Sequence, residues 1–71
     1  MNKEISQMDI RSYEKYVYCL EQTSKNLREA AQSGDEEVKE LSERVDKIYL
    51  KERYHCLCLL REMGLYPRFL N

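Results

Sequence analysis

The chain has 71 residues, 35% of them charged, and a net charge of −1, which bounds it to one domain with a marginal core of its own. A pI near 5.8 lacks the basic footprint of a nucleic-acid binder. Two Gly, one Pro and six Tyr argue against both disorder and an all-β fold.

The first element starts after a short arm, residues 1–5. Ser6-Gln7-Met8-Asp9 has the form of a capping box, and Ile5 and Ile10 fall at the two positions of a hydrophobic staple. From there Ile10, Tyr13, Val17, Leu20, Ser24, Leu27 and Ala31 alternate spacings of three and four, the mark of a coiled-coil-like seam. Tyr16, Thr23 and Ala30 widen it on one side. Glu14, Lys15, Glu21, Gln22, Lys25, Arg28 and Glu29 take the remaining faces. A helix is expected over about 7–33. Its seam narrows towards Ser24, Ala30 and Ala31, where small residues let a second helix approach.

Gln32-Ser33-Gly34-Asp35 is the mid-chain break. Gly34 can take the left-handed conformation that ends a helix, and Asp35 can cap the next one. A connection this short makes the two helices antiparallel neighbours. The competing arrangement is one long helix in a parallel coiled coil, because the heptad runs on through Gly34 to Val38, Leu41, Val45 and Ile48.

The second helix is expected over about 35–63. Its stripe continues through Glu52, Cys56, Leu59 and Met63, so a carboxylate sits on the seam. Gly64 suits the end of this helix, Leu65 can fold back on Leu60, and Pro67 blocks continuation. The tail, residues 64–71, still carries Tyr66, Phe69 and Leu70. An antiparallel hairpin then pairs Leu27 with Leu41, Ser24 with Val45, and Leu20 with Ile48. It also pairs Val17 with Glu52, Tyr13 with Cys56, and Ile10 with Leu59. The fold class is all-α, an antiparallel two-helix hairpin with a short apolar tail.

Chemistry-bearing groups are few. His55, Cys56 and Cys58 lie close in sequence, but side chains two apart on a helix point about 200° apart, which defeats metal chelation. No metal or cofactor is expected. Glu52 invites an acid–base role, with Tyr13 or Tyr16 as a donor from the facing helix, yet no nucleophile or phosphate-binding loop accompanies it. No catalytic residue is assigned. Three cysteines and the absence of an apolar leader in MNKEISQMD point to a reducing, cytoplasmic setting. Lys51, Glu52 and Arg53 interrupt the longest apolar region, so no membrane span is expected.

Ile48 to Met63 is apolar round most of its circumference, and such a helix requires burial. Its hairpin partner accounts for one stripe only. Tyr18, Leu50, Tyr54, Leu57, Cys58, Leu65, Tyr66, Phe69 and Leu70 are therefore the candidate partner-binding residues. The expected function is a non-catalytic protein–protein interaction module, an adaptor, chaperone or inhibitor. It presents an apolar helix face to itself, as a homodimeric four-helix bundle, or to a helical partner protein. In size and expected shape it is comparable to secretion-system cochaperones, with no motif shared. The alternatives are a dimeric helical regulator associated with nucleic acid, which the weak positive charge of the last third disfavours, and an enzyme with an intersubunit site around Glu52.

Overall fold

The computed structural model describes residues 7–70. The proposed cap at Ser6 and the staple at Ile5 lie outside them. Two helices, α1 (Gln7–Ala31) and α2 (Glu36–Glu62), pack against each other, with no strand among the described residues. The hairpin, not the single long helix, is the arrangement found.

The turn is built as its residues imply. Gln32, Ser33 and Gly34 donate back to the carbonyls of Glu29, Ala30 and Ala31 at 3.1–3.2 Å, tightening the last turn of α1. Gly34 then adopts φ +92, a region that side chains with a Cβ avoid. Asp35 is extended and accepts from the Glu37 amide at 2.9 Å. Glu36 and Glu37 follow at the positive end of the helix dipole. At the far end Gly64 takes φ +69, and the Leu65 amide donates to Leu60 O at 2.9 Å and the Gly64 amide to Arg61 O at 3.1 Å. Those two bonds define a Schellman motif.

The axial register is close to the one expected, but α2 is turned about its axis. Leu41 and Ile48, placed on the seam, are 49% and 47% exposed. Ser42 and Leu60 are buried in their place, with Tyr49 partly buried against the core, while Cys56 is buried where the seam placed it. On α1 the buried positions are Ile10, Glu14, Val17 and Ser24, so Glu14 moves from an outer face to the inside. The cause is the tail. The heptad register balances two helices alone, whereas here Leu70 is a third apolar contributor in the same core. α2 rotates so that its apolar surface converges on it, while α1 keeps Ile10, Val17 and Ser24 inside.

The apolar core is consequently concentrated at the open end of the hairpin. Ile10, Val17, Cys56, Leu60 and Leu70 are fully buried there, flanked by Tyr13, Tyr49, Leu57, Leu59, Met63 and Leu65. Towards the turn the buried positions are Ser24 and Ser42, small enough for close approach. The molecule measures 45 × 26 × 15 Å. Among the described residues nothing covers Leu50 and Tyr54 on α2, which are 62% and 73% exposed.

Candidate interaction surface and its supporting clusters

Three side-chain groups set the character of the molecule. The first is the tail clasp. The Glu14 carboxylate is fully buried, and its Oε2 accepts from the amides of Arg68 at 2.6 Å, Phe69 at 2.8 Å and Leu70 at 3.2 Å. Arg11 Nη1 donates to Glu14 Oε1 at 2.7 Å and to the Tyr66 carbonyl at 2.9 Å. Burial pushes the Glu14 carboxyl up, but the Phe69 amide, the Arg11 guanidinium and the amides of Leu70 and Arg68 outweigh it, holding the group below its ordinary range. Phe69 closes the same flank, its ring 6.3 Å from that of Tyr18 and 5.5 Å beneath the Lys15 ammonium.

The second group surrounds Glu52. Tyr13 donates its hydroxyl to the Glu52 carboxylate, and His55 Nδ1 lies 3.2 Å from the same phenol oxygen. The Tyr16 ring stacks on Tyr13 at 6.4 Å, and the His55 ring meets it edge-on at 5.9 Å. Of the two expected donors, Tyr13 is the one that reaches Glu52. Burial, then the hydrogen bond and charge of Glu52, push the Tyr13 phenol far above its ordinary value. A phenol so held stays protonated, which suits a fixed cross-helix contact rather than a nucleophile or base.

The third group ties the helices near the turn. Ser24 donates to Asp46, and Arg28 Nη2 reaches the same carboxylate at 3.1 Å. Tyr49 donates to Glu21 at 2.7 Å. The Ser24 hydroxyl and Arg28 lower the Asp46 carboxyl. Burial and Glu21 raise the Tyr49 phenol.

Set against these clusters, the nine candidate residues separate. Leu70 is inside the core and Leu65 packs against it, so both belong to the chain's own interior. Tyr18 and the half-buried Phe69 are engaged with each other. Tyr66 projects from the tail at 88% exposure. Leu50 and Tyr54 remain on the outer side of α2, with Cys58 half-buried beside them and Leu57 half-buried against the core. Leu50 is 62% and Tyr54 73% exposed. Tyr54, Leu57, Cys58 and Arg61 line an open hollow of about 250 Å³.

Glu14 and Arg11 were not legible as functional in the sequence. The one signal for them lies in the tail: three successive amides after Pro67, in neither helix nor strand, require an acceptor. Among the described residues no three His, Cys, Asp or Glu side chains converge as metal ligands, and no helix is long and apolar enough to cross a membrane. Cys19, Cys56 and Cys58 are free thiols. Burial and the nearby Glu14 charge raise the Cys56 thiol, which makes it an inert part of the core. No protein-family model, curated protein or solved structure matches the chain.

Proposed function

We propose that this protein is a small, non-enzymatic interaction module whose working surface is the outer face of α2. The observation that carries the proposal is the contiguous exposure of Leu50 and Tyr54 beside the hollow of Tyr54, Leu57, Cys58 and Arg61. Burying one large apolar side chain is worth about 1.5–3 kcal/mol, so the chain gains by covering this face. A helix fits it. The stripe runs along one helical line and is open at both ends, and an apolar helix face laid alongside would interdigitate with it. The occupant is either a second hairpin, giving a four-helix assembly, or an amphipathic helix of another protein. This makes the module an adaptor or chaperone in kind. Three free thiols suit a reducing, cytoplasmic setting.

The test replaces Leu50 and Tyr54 together by Lys. Both side chains project outward, so helicity and the unfolding midpoint of the dilute chain are expected to change by less than about 0.5 kcal/mol in stability. Association, read as self-association in sedimentation and as binding of a synthetic leucine–lysine amphipathic helix, is expected to fall at least tenfold, by loss of apolar contact. Association undiminished in both assays overturns the proposal.

A further inference from the structure

We infer that the occupant of the outer α2 face is a second copy of this chain, laid antiparallel about a two-fold axis at the height of Glu52. The inference rests on the outer face being the contact surface, and adds the partner and its orientation.

The support is a symmetry in the placement of charge and apolar residues. Glu43 and Arg61 are both exposed and lie about five turns, about 27 Å, apart on the same line of α2. Leu50 comes seven residues after Glu43, and Tyr54 seven residues before Arg61. The order along this line is thus acid, aliphatic, aromatic, base, with equal outer spacings. Turning the helix end for end about the height of Glu52 exchanges Glu43 with Arg61 and Leu50 with Tyr54. Two copies so related place Glu43 against Arg61 of the second copy, twice, with Leu50 against Tyr54 twice between them. The Glu43–Arg61 and Leu50–Tyr54 contacts are complementary, as an isologous interface requires, while Lys47, exposed on the flank of the line, falls beside Leu57 of the second copy.

The surrounding charges agree. The first half of α2 carries Glu36, Glu37, Glu40, Glu43 and Asp46 against Lys39, Arg44 and Lys47, a net negative charge, and its second half carries Lys51, Arg53 and Arg61 against Glu52 and Glu62, a net positive one. Parallel pairing sets acid beside acid, whereas antiparallel pairing sets the acidic half beside the basic half. Arg44 and Glu62 share one flank and come near each other across the same axis, adding a pair of opposite sign. Among the described residues neither Glu43 nor Arg61 is held in an ion pair within its own chain, so both are available. The contact side of α2 faces away from α1, so the assembly is a row, α1–α2–α2–α1, in place of a closed square bundle.

The experiment uses charge exchange on the full chain. Sedimentation equilibrium is run on the native protein, on Glu43→Arg, on Arg61→Glu, and on an equal mixture of the two variants. Circular dichroism verifies helicity in each. The native chain is expected to dimerise. Each variant alone faces like charge twice and is expected to dimerise roughly tenfold or more weakly. The mixture restores both opposite-charge pairs and is expected to recover dimerisation as a heterodimer. A native chain that stays monomeric, a dimer indifferent to both reversals, or a mixture that fails to recover each overturns the inference. A monomeric chain that still binds the leucine–lysine helix through Tyr54 overturns self-pairing alone and leaves the outer face as the contact surface. Loss of both kinds of association would sink the two together.

Discussion

Replacing Glu14 by Gln preserves its shape and removes its charge, which isolates what the buried carboxylate contributes. One amide oxygen replaces two carboxylate oxygens that serve the amides of Arg68, Phe69 and Leu70 and the guanidinium of Arg11. The new NH2 group also faces donors. The expected loss is about 2–3 kcal/mol, read from the urea midpoint, together with faster hydrogen exchange at residues 68–70. The pH dependence has a definite sign. The folded-state carboxyl lies below its ordinary range, so its stabilisation is complete above the unfolded value of about 4.3 and is lost as pH falls through the folded value. Asp46, also lowered, adds to the same acid limb. Glu14→Gln should therefore unfold at a less pH-dependent midpoint below about pH 4.3. A variant with the native acid profile would mean that the clasp carries no linked proton.

At the scale of the element, the tail owes its direction to Gly64 and its hold to Leu70. A Cβ at Gly64 would meet nothing within 4 Å, so Gly64→Ala costs only the left-handed backbone at φ +69, about 1 kcal/mol. Leu70→Ala empties a fully buried site and is expected to cost about 2–5 kcal/mol. If thermal melts rank the two in the opposite order, the tail is held by its turn rather than by its core contact. These two residues also show how far the elements were legible. Gly34-Asp35 and Gly64-Leu65 mark helix ends through local backbone chemistry, so the sequence located both ends and the hairpin register to within a residue or two. The rotation of α2, which exposes Leu41 and Ile48, was not local. It depends on Leu70 arriving from the end of the chain, and a two-helix heptad contains no term for a third contributor. For the same reason Glu14 looked like an outer-face acid, since its partners are more than fifty residues away. Helical periodicity alone set Leu50 and Tyr54 apart from the seam, and both are exposed, whereas Leu57, grouped with them, packs against the core.

For the whole molecule, the polar groups that join the helices and hold the tail divide into two kinds with opposite responses to pH. Glu14 and Asp46 favour the fold when ionised, whereas Tyr13, Tyr49 and Cys56 favour it when neutral. Burial comes first in raising each of the latter three, reinforced by Glu52, Glu21 and Glu14 respectively. A raised folded-state value means that the unfolded chain gives up its proton first. The stabilisation is therefore complete below the unfolded values, about 8.5 for a thiol and about 10 for a phenol, and drains away as pH climbs through the folded ones. Tyr13 carries the largest share, because its phenol sits against the Glu52 carboxylate and ionising it would set two negative charges in contact. Thermal melts taken at rising pH should show a plateau through neutrality and a steep decline above about pH 10. Tyr13→Phe should lower the plateau by about 1 kcal/mol for the lost hydrogen bond and make the alkaline decline visibly shallower. An unchanged alkaline slope in Tyr13→Phe would place that linkage on Tyr49 and Cys56 instead, and would make the Tyr13–Glu52 contact a surface pairing with no hold on the hairpin.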